Sequence, residues 1–226
     1  MTSAPPPGGQ GRRGLLIDFG GVLTTSVFAS FAAFEQAEGL ERLAIARLLR
    51  DDPRAAALVA TLETGEADDA SFEAEFAALL GVAPQGLIRR LLRGARLEPD
   101  MIAAVRALRR AGVRTALVSN SWGAASYPEE LLSDLFDAVV ISGQVGLRKP
   151  NPAIYRMAAE KLGLDPAECV FVDDLPNNLG PAARLGMGVI RHTTPAATIA
   201  ELVAAFGVDL SSVGGRGLGT DPAPSA

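Results

Sequence analysis

The chain has 226 residues, 48% of them hydrophobic, which suits one large domain or a core with an inserted subdomain. A formal net charge of −5 provides no global positive field for nucleic acid or an anionic membrane, so neither is expected as a partner and any anionic ligand must be met by local charge. The single cysteine, Cys169, excludes an intramolecular disulfide framework and suits a reducing compartment, so a cytoplasmic location is expected.

Residues 1–13 are rich in Pro, Gly and polar side chains and lack the apolar run of a signal peptide, so they are expected to be disordered. Residues 15–18 form a short apolar run that ends in an acid and meets Gly20 and Gly21, the pattern of a buried strand feeding a loop. From 28 to 97 no strand pattern occurs. Amphipathic helical patterns fill this stretch, with breaks near Gly39, Pro53, Gly65 and Pro84. Beyond it, apolar runs at 113–119, 138–142, 169–173 and 188–191 alternate with helical patterns at 99–111, 152–162 and 178–185. That alternation predicts an α/β fold of right-handed βαβ units around a parallel sheet. The core comprises residues 14–27 and 98–207, and residues 28–97 form a helical cap over the carboxyl ends of the strands, where open parallel sheets bind ligands. Residues 208–226 are expected to form a disordered tail. Gly and charged residues interrupt every apolar stretch before about 18 residues, so no membrane span is expected.

Four polar features sit where these strands end: Asp18, Ser119 with Asn120, Lys149, and Asp173 with Asp174. Carboxylates converging from two strands repel unless a cation lies between them, and Mg²⁺ suits oxygen ligands while accepting a substrate phosphate. Ser119 offers a hydroxyl and Asn120 a backbone N–H to a phosphate oxygen. Lys149 precedes Pro150, and Asn151 with Pro152 reads as the N-cap and first residue of a helix, so its ammonium is held on a defined stem.

The segments Asp18-Phe19-Gly20-Gly21-Val22-Leu23, Val118-Ser119-Asn120-Ser121, Arg148-Lys149-Pro150-Asn151-Pro152 and Val172-Asp173-Asp174 resemble, in order and spacing, the four motifs of the haloacid dehalogenase (HAD) superfamily. Residues 171–187 are similar to the fourth motif of the branch, in subfamily IA, that contains the phosphatase domain of soluble epoxide hydrolases. The resemblance implies a Rossmann-like core with a C1-type cap. It also implies a Mg²⁺-dependent phosphohydrolase acting on a small phosphorylated metabolite. In that reading Asp18 attacks phosphorus to form an aspartyl-phosphate, and Ser119 and Lys149 bind the transferring group. Asp18, Asp174 and the Gly20 carbonyl hold the metal, with Asp173 beside them. Phosphatases of the family usually carry an acid/base Asp where this chain has Gly20, so slow turnover of ordinary esters is expected.

Other residues have plainer readings. Cys169 and His192 are expected to be a core residue and a loop residue. Arg89, Arg90, Arg93 and Arg96 read as the solvated side of cap helices, and Asn177 and Asn178 as helix caps. For Trp122, lining a substrate pocket and simple packing both remain open. Gly20 keeps two alternatives alive: a 2-haloacid dehalogenase, which needs no metal and for which Asp173 and Asp174 are superfluous, and a non-catalytic binding protein.

Overall fold

The structure, a computed structural model, describes residues 11–123 and 127–211. Five strands, β1 (Gly14–Ile17), β2 (Arg114–Ser119), β3 (Ala138–Ile141), β4 (Cys169–Asp173) and β5 (Gly188–Arg191), form one all-parallel sheet in the order β3-β2-β1-β4-β5. All five lie where the apolar runs put them. Between β1 and β2 come α1 (Val27–Ala37), α2 (Ala44–Asp51), α3 (Pro53–Thr64), α4 (Asp69–Leu80), α5 (Leu87–Leu91) and α6 (Pro99–Arg110). The remaining helices are α7 (Glu129–Leu135), α8 (Ser142–Val145), α9 (Pro152–Lys161), α10 (Pro176–Arg184) and α11 (Pro195–Phe206).

Helices cover both faces of the sheet, which is why its central strands read as unbroken apolar runs rather than as an alternation. Leu15 and Ile17 of β1 join Met101, Val105 and Leu108 of α6 and Leu202 of α11 in one buried layer. Leu16, between them in sequence, joins Ile154, Tyr155 and Ala158 of α9 and Ala182 of α10 in the opposite layer.

Helices α1 to α5 have an apolar centre of their own, built on Phe31, Phe34, Ile45, Leu62, Phe72, Phe76, Leu87 and Leu91. Their boundaries follow local chemistry. The Asp52 side chain accepts from Arg54 N ahead of Pro53, the Asp68 side chain accepts from Ser71 N, and Gly65 and Gly81 end α3 and α4 in left-handed conformations. The chain enters and leaves this unit through two paired segments: Thr24 bridges Leu97, Thr25 N donates to Arg96 O (2.7 Å) and Glu98 N donates to Leu23 O (2.9 Å).

Both ends are better anchored than expected within the described residues. Arg13 N donates to Glu168 O, the Arg12 guanidinium bonds the carbonyls of Ala167, Cys169 and Gly186, and Leu210 is buried in the core. Residues 1–10 and 212–226, where most of the expected disorder falls, lie outside the described residues. Helix α10 also departs from expectation. It starts at Pro176, and neither Asn177 nor Asn178 caps it. The Asp173 side chain accepts from Leu175 N and fixes this turn instead.

Candidate active site

From β1 the chain builds outward to β2 and β3 on one side, then returns to β4 and β5 on the other, so the sheet reverses direction between β1 and β4. Ligand crevices form outside the carboxyl ends of strands at such a point. Ile17 of β1 pairs with Val172 of β4, which sets the next residues, Asp18 and Asp173, side by side. The carboxylates of Asp18, Asp173 and Asp174 each offer an oxygen within 4.8 Å of the others.

Lys149 enters this cluster from the loop before α9. Its Nζ lies 2.8 Å from Asp18 Oδ1 and 2.7 Å from Asp173 Oδ2, and the side chain is 1% exposed. Burial works against the ammonium, yet the two aspartates outweigh it and push its pKa above the ordinary lysine value. Asp173 is fully enclosed by protein donors, accepting from Lys149 Nζ, Leu175 N and Asn178 Nδ2. Asp18 Oδ1 also accepts from Phe19 N (2.7 Å). Burial raises Asp18 to about 7, offset in part by Lys149 and reinforced by Asp173, and burial with Asp173 raises Asp174 to about 6. Three carboxylates therefore face one ammonium, and when all are ionised two negative charges remain uncompensated. A hard divalent cation fits that excess, with Asp18 and Asp174 as the carboxylates least committed to protein donors.

The turn after β1 explains its two glycines differently. Gly21 has φ +76°, and a Cβ there would stand 2.6 Å from Asp174 Oδ2, so no side chain fits without moving that carboxylate. Gly20 has an ordinary φ, and a Cβ would meet only Val27 Cγ2, at 3.1 Å. Its backbone conformation suits a side chain, for which Val27 would have to shift slightly.

At the end of β2, Ser119 Oγ accepts from the Tyr127 hydroxyl (2.9 Å), and Tyr127 packs on Phe19 with ring centroids 5.0 Å apart. The Asn120 side chain has a role its position in sequence did not reveal. Its Oδ1 accepts from Lys149 N (2.8 Å), and its Nδ2 donates to Lys149 O (3.1 Å) and to Glu63 Oε2 of α3 (3.1 Å). Asn151 caps α9 as expected, accepting from Ala153 N.

A cavity of about 980 Å³ opens between this cluster and the helical unit, lined by Phe19, Gly20, Ser119, Asn120 and Trp122 from one side and by Val27, Ile88 and Leu92 from the other. Trp122 bears on both surfaces at once. It lines the cavity and also packs on Phe31 (5.3 Å) and Phe72 (6.1 Å). Arg89, Arg93 and Arg96 are exposed, as expected of a solvated face, and Arg89, Arg90 and Arg93 also line the cavity. Arg90 is paired with Glu38 and stacked on Phe34, while Arg89 and Arg93 have no ion pair among the described residues. Cys169 is buried in β4 and its thiol is raised to about 11 by burial. His192 is buried against Thr198 of α11 (2.9 Å), away from the cavity. Among the described residues no helix is long and apolar enough to cross a membrane.

Sequence reasoning missed Asn178, Tyr127 and Glu63. Asn178 reads from sequence only as a helix cap, and Glu63 lies far along the chain in the cap.

An open parallel sheet, roofed by helices inserted after its first strand and carrying a buried lysine among aspartates at its switch point, defines a capped α/β protein with a charged cluster at the carboxyl ends of its strands. The chain belongs to the haloacid dehalogenase-like hydrolases, whose family model matches residues 13–186. It is 35% identical over 113 residues to rat bifunctional epoxide hydrolase 2, covering 47% of this chain and 20% of that protein. It is 34% identical over 97 residues to the glyceraldehyde 3-phosphate phosphatase of Methanopyrus kandleri, covering 41% of this chain and 42% of that one. An HAD-like family hydrolase from Porphyromonas gingivalis superposes with a TM-score of 0.65 at 26% identity, covering 84% of this chain and 97% of that one. The chain spans 11–20% of the length of the first curated relatives it matches.

Proposed function

We propose that this chain is a Mg²⁺-dependent phosphohydrolase acting on a small phosphorylated metabolite, with residues 14–27 and 98–207 as its catalytic core and residues 28–97 as the cap that selects the substrate. One observation carries the reading: three carboxylates from β1 and β4 converge within 4.8 Å around a buried ammonium. Asp18 attacks phosphorus, the bond from phosphorus to the leaving oxygen breaks, and the leaving group departs with the bonding pair. Water then attacks the aspartyl-phosphate, releasing inorganic phosphate and restoring the carboxylate. Lys149 holds positive charge beside the nucleophile and the transferring oxygens, and Asp173 holds Lys149. Ser119 and Asn120 position the phosphoryl group. Bound by Asp18, Asp174 and the Gly20 carbonyl, Mg²⁺ supplies charge neutralisation of the phosphoryl oxygens. The cavity's largely apolar wall, with Trp122, receives the leaving group.

Gly20 favours a second reading, dehalogenation of a 2-haloacid, and it also fits a binding protein without turnover. The dehalogenase reading leaves Asp174 without a purpose, since attack on carbon needs no metal. Phosphate release from acetyl phosphate, p-nitrophenyl phosphate and a panel of sugar phosphates, with and without Mg²⁺ and with Asp18→Asn as blank, tests all three. Mg²⁺-dependent release well above the blank is expected. Equal rates for wild type and blank leave only the binding role, and halide release without Mg²⁺ moves the assignment to a dehalogenase.

A further inference from the structure

Glu63 is a carboxylate in the last turn of α3 that is 6% exposed and does not line the cavity. Burying a charge this far is costly unless it is paired and hydrogen-bonded, so its partners explain its place. Every partner belongs to the core. Glu63 Oε2 accepts from Asn120 Nδ2 (3.1 Å) and lies 2.8 Å from Arg148 Nε. The Glu63 carbonyl accepts from the Ser142 hydroxyl, whose oxygen in turn accepts from Ser121 N (2.8 Å). Two residues on, a Cβ at Gly65 would stand 2.4 Å from the Gly143 carbonyl oxygen, so cap and core main chains meet here.

The consequence runs through Asn120. An ionised carboxylate only accepts, so Glu63 fixes the Asn120 amide with Nδ2 toward the cap and Oδ1 toward Lys149 N. In that orientation Asn120 also donates to Lys149 O, gripping both polar groups of the Lys149 main chain. We propose that Glu63 is a positioning residue: through Asn120, the seated cap holds the main chain of Lys149 so that its ammonium stands between Asp18 and Asp173. This rests on the phosphohydrolase reading for its kinetic consequence but not for its structural one.

The test uses the full chain with Glu63→Ala, Glu63→Gln, Asn120→Ala and the Glu63→Ala/Asn120→Ala double variant. In Glu63→Gln the amide oxygen can take the place of Oε2 and still accept from Asn120, so the conservative change rescues. Hydrogen exchange reads the structural claim without activity: Glu63→Ala speeds exchange across residues 144–151 while a β4 peptide stays unchanged, and Glu63→Gln stays near wild type. Kinetics with acetyl phosphate and Mg²⁺ read the other half. Glu63→Ala lowers kcat about 10-fold with little change in KM, as expected when a charge that acts in the transition state is misplaced. In the Asn120→Ala background the same change adds nothing, because both act through one path. Unchanged exchange at 144–151 in Glu63→Ala overturns the proposal, as do kcat losses that multiply in the double variant. A wild type no faster than Asp18→Asn sinks the phosphohydrolase reading instead, and exchange then decides the Glu63 proposal alone.

Discussion

At the scale of single residues, the site contrasts two adjacent glycines. Gly21 is required by its backbone and by the closeness of Asp174, so Gly21→Ala is expected to displace that carboxylate and weaken Mg²⁺ binding by about 10- to 100-fold, measured by titrating Mg²⁺ against thermal stability. Gly20 is not required in this way. Its φ is ordinary and the only close neighbour of an added Cβ is a methyl group of Val27, at 3.1 Å, so aspartate requires only a slight shift of the Val27 side chain. By the family resemblance, an Asp at this position would donate a proton to the leaving alcohol. Gly20→Asp is therefore expected to raise kcat for an alkyl phosphate by about 10²-fold, while acetyl phosphate, whose carboxylate leaves without a proton, gains little. Steady-state kinetics with both substrates decide it. Equal gains on both would mean that the new carboxylate is not acting as the acid. Asp18, Lys149 and Asp174 were legible because each directly follows a strand or precedes a proline. Asn178 and Glu63 were not, because their partners are fixed only by tertiary packing: Asn178 reaches back across a turn to Asp173, and Glu63 reaches from the cap to Asn120.

At the scale of elements, the strands were readable since a doubly covered parallel sheet leaves a continuous apolar run in each central strand. The cap was readable as helical with breaks near Gly39, Pro53, Gly65 and Pro84, and the ends of α3 and α4 are set locally, by the Asp52 and Asp68 caps and the left-handed Gly65 and Gly81. Helix α11 went unread although its signals were present: Thr194 accepts from Ala197 N, Pro195 opens the first turn, and Ile199, Leu202, Val203 and Phe206 repeat at helical spacing. The family match ends at residue 186, yet Leu202 is fully buried in the layer that holds Leu15 and Ile17. The helix is thus part of the core. Leu202→Ala is expected to lower unfolding free energy by about 2–5 kcal/mol, read from urea denaturation. A loss under about 0.5 kcal/mol would place α11 outside the cooperative unit.

At the scale of the whole molecule, the burial of several carboxylates makes stability depend on pH. Burial raises Asp18 to about 7 from 3.8, Asp174 to about 6 from 3.8, and Glu63 to about 6 from 4.5. In each case the folded chain holds its proton more tightly than the unfolded chain. Between about pH 4 and 7 unfolding therefore releases protons, and stability falls as pH rises through that window. His192, whose pKa burial lowers, opposes this slope as its unfolded form titrates near 6.5, and six surface acids with lowered pKa values, Asp51, Asp52, Asp68, Asp134, Glu168 and Asp209, oppose it below about pH 5, so the fall belongs to the range above that. The Tm of protein in EDTA is accordingly expected to fall from pH 5 to pH 7.5, and Asp18→Asn to flatten that fall. Saturating Mg²⁺ should raise Tm more at pH 7.5 than at pH 5, because the ion binds the ionised carboxylates and must displace protons at the lower pH. A Tm in EDTA that climbs across the same range would mean that the three acids are stabilised as anions by the protein itself, and the electrostatic case for a divalent cation among them would be lost.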